Sequence, residues 1–220
     1  MREFKKSYLK FKEELPEFDV FEEYLDDRGD HPENFRDYEC RFAADQIARF
    51  IPESILDIGS YRHFLMGLMA HHRVTTIDIR NRKQRLANET VITCDAARLD
   101  LLDDSFEAVL SLCALEHIGL GRYGDPVDLY GDKKAFEEMV RVLKPGGVLI
   151  FTTTIHNAPP AVAFNAHRIY NHQTIKDYCT GLVLVEEKFF SHELAGACSL
   201  NQITNNPRLW DIYCGCWRCP

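Results

Sequence analysis

The segment Ile55-Leu56-Asp57-Ile58-Gly59-Ser60 constrains the fold more than any other part of the chain. A short apolar strand ends on an acidic residue, turns on a glycine and runs into a helix-like stretch. Such a turn presents backbone N–H groups and a carboxylate at the carboxyl end of a strand, where open α/β sheets bind their ligands. Two more apolar runs repeat the ending, RVTTIDI on Asp78 and ETVITCD on Asp95. Three successive strands that each deliver a carboxylate to one edge describe a pocket for a nucleotide-like ligand.

The surrounding pattern alternates strand and helix. Strands are expected at 55–58, 73–78, 89–94, 106–112 and 147–154, and helices near 61–71, 80–87 and 132–143. This order implies an α/β chain with a doubly wound, Rossmann-like parallel sheet and right-handed crossovers. Residues 106–112, FEAVLSL, are almost continuously apolar, as befits a central strand buried on both faces. Lys144-Pro145-Gly146-Gly147 reads as a sharp stop between a helix and the fifth strand. Phe35, Phe42, Ile47 and Phe50 fall mostly on one face of a helix over 35–50, which Pro52 ends. Beyond residue 155 come a loop, a helix near 171–180, a strand over 182–190, a loop over 191–208 and a last strand near 210–217. Residues 1–34 are expected as an N-terminal extension, in which DDRGDHPEN is a loop and its RGD incidental. Residues 35–220 are expected as a single domain, with the ligand-binding half at 54–155 and substrate loops and final strands at 156–220.

Composition narrows the function classes. The net charge of −8 argues against binding along a phosphate backbone. The short basic run Arg80, Arg82, Lys83, Arg85 reads as a solvated helix surface. No apolar run approaches the roughly 18–20 residues of a membrane span, and the first residues lack the apolar core of a secretory signal, so a cytoplasmic location is expected. The eight cysteines are scattered, several within apolar runs where a free thiol acts as a small hydrophobe. Cys214, Cys216 and Cys219 close the chain; with His192 or Cys198 they would make four ligands, but Cys214 and Cys216 on one face of a strand serve core packing. We expect no metal.

At the strand ends, Gly59 lets the backbone approach a ligand closely or adopt positive φ. Asp78 is placed to accept hydrogen bonds from ribose hydroxyls, and Asp95, followed by Ala96, to accept one from an adenine amino group. The bland alternative is that each aspartate caps the following segment. ILDIGS, the Asp-terminated second strand, CDA, DDSFEAVLSL, LEHI and LKPGGVLIF occur in the order found in class I S-adenosylmethionine-dependent methyltransferases, and residues 54–155 resemble that family. GLGRYGDP (119–126) and FNAHRIY (164–170) are similar to signatures of a narrower methyltransferase-like family of unknown function. The resemblance implies a seven-stranded sheet, mostly parallel, whose antiparallel last strand inserts beside the fifth. It implies S-adenosylmethionine as cofactor, with Asp57, Gly59 and Ser60 at the methionine portion and Asp78 and Ile79 at the ribose. Asp95 and Ala96 would hold the adenine, and Leu112 and Cys113 would lie beneath the sulfonium. One departure stands out: the family's turn carries further glycines where this chain has Ser60-Tyr61-Arg62-His63, so Tyr61 and Arg62 either turn away or narrow the pocket.

Methyl transfer from a sulfonium needs the acceptor held on the methyl axis and a base only where the acceptor must lose a proton. His117, just after the fourth strand, is the candidate base, unless Glu116-His117 merely orders a loop. Arg122, Tyr123 and Asp125 in one loop, and Asn165, His167, Arg168 and Tyr170 in the other, are candidates for binding an anionic or polyhydroxylated acceptor, unless they brace one loop against the other. The expected activity is O-methylation of a small-molecule or glycan-type substrate. The alternative is a catalytically silent binding or regulatory protein of the same fold. A nicotinamide oxidoreductase is disfavoured because no GxGxxG follows the first strand.

Overall fold

The computed structural model describes residues 2–25, 34–84 and 86–220. Contacts divide the chain into two units, Met1–Pro32 and Glu33–Pro220. The first holds helix α1 (Arg2–Glu14), and within it Phe4 meets Tyr24 edge-on with ring centroids 5.0 Å apart. The RGD loop and Arg85 lie outside the described residues.

The second unit opens with α2 (Phe35–Phe50). Asn34 starts this helix: its side chain accepts from the N–H groups of Arg36 and Asp37, while Asp37 accepts from the Asn34 N–H. A reciprocal cap of this kind contributes about 1 kcal/mol. The strands β1 (Ser54–Ile58), β2 (Arg73–Asp78), β3 (Glu89–Thr93), β4 (Phe106–Leu112) and β5 (Leu143–Ile155) pair in parallel in the spatial order β3-β2-β1-β4-β5. Helix α3 (Arg62–Leu68) follows β1, and α4 (Gly131–Arg141) precedes β5. A small hairpin, β6 (Ala161–Ala163) and β7 (His167–Ile169), leads into α5 (His172–Tyr178). The sheet then continues with β8 (Val183–Ser191), β9 (Gly196–Cys198) and β10 (Asp211–Arg218). β10 inserts antiparallel between β5 and β8. β9 adds an eighth strand at the edge, one more than the seven expected.

Alternation along the strands divides the core between the two faces of the sheet. Ile55, Leu110, Ile150 and Cys214 face Phe42, Ile47 and Leu65 of α2 and α3. Leu56, Val109, Leu149 and Tyr213 face Phe136, Met139 and Ile175 of α4 and α5. Each fully buried aliphatic side chain contributes about 1.5–3 kcal/mol. Cys214 and Cys216 share the α2 face, and all eight cysteines are free thiols. Among the described residues no helix is long and apolar enough to cross a membrane.

Three local expectations need correction. No helix forms among the described residues of 79–88, because their charged side chains are drawn into ion pairs. Arg80 closes on Asp78, and Arg82 on Glu89 and Thr76, so both are paired along non-helical chain although Arg80 stays exposed. Lys144–Gly147 does not stop the chain but belongs to β5, as an irregularity where its register against β4 shifts. Gly146 takes φ +78° there, and its N–H donates to the Cys219 carbonyl. The stretches expected as loops after β5 and β8 contain the β6–β7 hairpin and β9.

Candidate active site

β1 has β2 on one side and β4 on the other, so the strand order reverses between β1 and β4. Open sheets of this kind receive ligands at such a switch point. Two serines tie the strand ends together here. Ser60 Oγ accepts from the Leu112 N–H at 2.9 Å, and Ser111 Oγ donates to the Ile58 carbonyl at 3.1 Å. Gly59 takes φ +70°, and a Cβ on it would stand 2.9 Å from Cβ of Ala114. The turn therefore needs glycine both for its conformation and for its close approach to the β4 end.

A cleft of about 110 Å³ opens over this point. Gly59, Asp78, Ile79, Asp95, Ala96 and Cys113 line it, together with His117, Tyr123 and Asp125. Of the expected cofactor residues, Asp57, Ser60 and Leu112 lie behind this lining. Asp57 is buried under the turn, where its Oδ1 accepts from the Ser60 N–H at 3.3 Å. Burial pushes its carboxyl up to about 7, against the pull of Ser60, Arg82 and Arg62. Asp95 accepts from the Ala97 N–H at 2.9 Å, a local turn bond that leaves it on the cleft wall.

Tyr61 and Arg62 turn away from the cleft. Arg62 forms a two-pronged ion pair with the buried Glu89, at 2.5 and 2.9 Å. Burial would raise Glu89, but Arg62 and Arg82 outweigh it and hold the carboxyl at about 2. Tyr61 is exposed, with the Arg36 guanidinium 5.8 Å from its ring centroid.

Asp78 is engaged by Arg80, whose Nε and Nη2 donate to its two oxygens at 2.9 and 2.8 Å. Burial raises this carboxyl, yet the Arg80 bonds prevail and hold it below the usual range. The same guanidinium lies 4.8 Å from the Tyr123 ring centroid, so it spans from the end of β2 to the 119–126 loop. Asp125 knots that loop, accepting from the N–H groups of Gly119, Gly121 and Tyr123.

His117 stands at the far end of the cleft. Its Nδ1 lies 2.6 Å from the Ala166 carbonyl, which also accepts from Arg122 at 3.0 Å. A carbonyl only accepts, so Nδ1 carries the proton and Nε2 keeps a lone pair. Burial holds the imidazole down at about 4, with Arg122, His167 and Arg36 adding to the effect and the Ala166 bond opposing it. His167, from the other predicted acceptor segment, meets His117 edge-on at 6.4 Å, and Asn165 is exposed at the turn between β6 and β7.

Arg168 and Tyr170 point elsewhere. Arg168 is 7% exposed, pairs with Asp132 at 3.3 Å and donates to the Ile118 carbonyl. Tyr170 and Tyr178 donate to the other oxygen of Asp132, at 2.8 and 2.9 Å. This buried knot ties the 164–170 segment and Tyr178 of α5 to Asp132 on α4.

The sequence did not single out Arg36, Glu39, Arg80 or Glu116 as functional. Glu39 is fully buried, accepting from Arg36 at 2.6 Å and from Thr152 Oγ1 at 2.8 Å. Its signal was a charge on the apolar face of α2, three residues after an arginine. Arg80 follows Asp78 by two residues, the spacing that keeps side chains on one side of extended chain.

Comparison with solved structures places the fold. The N-methyltransferase NodS from Bradyrhizobium japonicum WM9, in complex with S-adenosyl-L-homocysteine, is 19% identical with a TM-score of 0.60, covering 97% of this chain and 98% of that one. The 1,6-didemethyltoxoflavin-N1-methyltransferase from Burkholderia thailandensis is 16% identical with a TM-score of 0.62, covering 90% and 98%. The [4+2]-cyclase SpnF is 16% identical with a TM-score of 0.60, covering 88% and 85%. At such identities the likeness is one of fold, that of the class I S-adenosylmethionine-dependent methyltransferases. No curated protein matches the chain. Residues 57–208 match the family described as "Caenorhabditis protein of unknown function, DUF268", a span that runs from Asp57 through both predicted acceptor segments. The chain therefore belongs to the DUF268 family, built on the class I methyltransferase fold.

Proposed function

We propose that the protein is an S-adenosylmethionine-dependent methyltransferase acting on a small-molecule or glycan-type acceptor. The observation that carries this reading is the convergence of Gly59, Asp78, Asp95 and His117 on one cleft at the β1/β4 switch point. The residues fit the cofactor in kind. Asp78 suits a ribose diol, and Ile79 and Ala96 beside Asp95 suit a flat amino-substituted ring. Asp57, buried beneath the Gly59 turn, would hold that turn in place for the amino-acid tail. S-adenosylmethionine would supply an electrophilic methyl group on sulfur. The protein would hold the acceptor in line with it, between Arg122 and Tyr123 on one side and Asn165 and His167 on the other. The cofactor half is then 54–155 and the acceptor side lies mainly in 156–220.

With Nδ1 committed to Ala166, Nε2 of His117 is an acceptor for the hydroxyl or amine proton of the substrate. Its low affinity for protons makes it a pathway for that proton rather than a place to keep it.

Calorimetry with S-adenosylmethionine and S-adenosylhomocysteine tests the reading, and no binding of either overturns it. Asp78→Ala removes charge-assisted bonds of about 1.5–3 kcal/mol each, so S-adenosylhomocysteine should bind about ten- to a hundredfold more weakly. Unchanged affinity would remove the ribose role.

The second reading, a silent binding protein, draws on one observation: Arg80 already satisfies both oxygens of Asp78. Binding of S-adenosylhomocysteine without methyl transfer to any extract fraction would favour it.

A further inference from the structure

The acceptor site proposed above stops at His167, but the row of rings to which His167 belongs does not. His117 meets His167 with ring centroids 6.4 Å apart, His167 meets Trp210 at 6.0 Å, Trp210 meets His192 at 4.5 Å and His192 meets Phe35 at 5.5 Å. Topology gathers these residues from distant parts of the chain. His117 follows β4 and His167 opens β7, while Trp210 immediately precedes β10 and His192 immediately follows β8. Because β10 runs antiparallel, its start pairs with the ends of β5 and β8, which brings Trp210 to the carboxyl edge where the cleft opens. Phe35 joins the row from the first position of α2. Buried Asp211 fixes the far half by accepting from the His192 and Thr204 N–H groups, each at 2.8 Å. Phe35 and Trp210 rest against the core on the α2 side of the sheet, yet none of the five rings is buried and His192 is exposed.

We infer that this row is a set of subsites for a glycan acceptor, with one sugar at His117 and the following sugars along His167, Trp210 and His192. The inference rests on the methyltransferase reading above and narrows its acceptor to a glycan of more than one sugar. Trp210, His192 and Phe35, which lie outside the cofactor cleft, become residues that determine specificity.

The arrangement of the rings selects this occupant. Successive ring planes turn by between 69° and 87°, so no two neighbours offer the parallel faces that would sandwich a flat aromatic acceptor. They offer instead an alternation of ring faces and polar edges. A pyranose has the matching alternation, with C–H groups on its faces and hydroxyls around its rim. Burial holds the His117, His167 and His192 imidazoles below their usual value, so each is a neutral ring with one donor and one acceptor nitrogen. The Trp210 indole adds a donor. A cationic occupant is disfavoured at both ends of the row. Arg36 lies 4.9 Å from the Phe35 ring centroid and Arg122 5.2 Å from that of Tyr123, where such a cation would sit. A nucleic-acid strand also stacks on rings, but it would be approaching a chain of net charge −8.

Trp210 makes the test direct. The chain has two tryptophans, and the other, Trp217, is buried with its Nε1 donating to the Tyr213 hydroxyl, so a fluorescence change on ligand addition reports Trp210. The probes are linear trisaccharides of glucose, of N-acetylglucosamine and of galacturonic acid, with the monosaccharide of each, added to protein saturated with S-adenosylhomocysteine. At least one trisaccharide should change the emission, and its monosaccharide should bind at least about tenfold more weakly. In calorimetry, Trp210→Phe, which keeps a ring on the core, and His192→Ala, at an exposed position, should each weaken that trisaccharide about two- to tenfold while S-adenosylhomocysteine binds as before. No response to any of the trisaccharides at about 10 mM overturns the glycan subsites. So does a monosaccharide that binds as well as its trisaccharide, a trisaccharide affinity that both variants leave unchanged, or preferential binding of a DNA trinucleotide. A wild-type protein that fails to bind S-adenosylhomocysteine overturns the methyltransferase reading instead.

Discussion

Arg80 and a bound ribose cannot both have Asp78. The guanidinium takes both carboxylate oxygens and rests against Tyr123, so a ligand must displace it and loosen the 119–126 loop in the same movement. The side chain of Arg80 is 60% exposed, and pairs of that kind contribute about 0–1 kcal/mol. Arg80→Ala should therefore tighten S-adenosylhomocysteine binding about two- to fivefold in a calorimetric titration. Weaker binding would make Arg80 a ligand of the cofactor instead of its competitor. Gly59 behaves differently. Ala there combines a disfavoured φ with a Cβ 2.9 Å from that of Ala114, so Gly59→Ala should lose about 1–3 kcal/mol in a urea titration.

Elements show where the sequence was legible. Strands β1, β2, β3 and β4 were legible because each is a short apolar run with a polar or acidic residue at or next to its end, a signal carried within a few neighbouring positions. The 79–88 crossover is not legible in the sequence, because its basic residues look like a helix surface until Glu89, on the next strand, is known to be buried beside Arg82. The edge strand β9 is three residues long and has no pattern of its own; it exists because β8 offers it a ladder. The carboxylates of the cleft were legible as strand ends. The purpose of Arg168 was not, since its partner Asp132 lies on α4, far off in sequence. That pair is buried beneath two tyrosine hydroxyls, so Arg168→Ala strands an uncompensated Asp132 and should cost about 3–5 kcal/mol. Thermal unfolding should register this as a clear fall in Tm. A variant with wild-type Tm and impaired methyl transfer alone would return Arg168 to the acceptor site.

Across the whole molecule, the buried acids at the switch point oppose stability as they ionise. Asp57 and Glu116 each rise from their ordinary values, 3.8 and 4.5, to about 7 in the folded state. The folded protein thus holds their protons more tightly, and the stability they contribute is complete below their unfolded values and lost as pH rises through 7. His117 and Glu89 work the other way. His117, depressed from 6.5 to about 4, contributes above 6.5 and loses that contribution as pH falls through 4; Glu89, depressed from 4.5 to about 2, contributes above 4.5 and loses it as pH falls through 2. Between about pH 5.5 and 8 the two acids pull stability down while His117, His167 and His192, all depressed by burial, pull it up, so unfolding free energy from urea titrations should fall by at most about 2–3 kcal/mol over that interval. Asp57→Asn and Glu116→Gln should each remove most of the decline, because each acid alone accounts for about 2 kcal/mol of it and the histidines offset much of the other. A flat profile in the wild-type protein would mean that water or a counter-charge reaches these carboxylates.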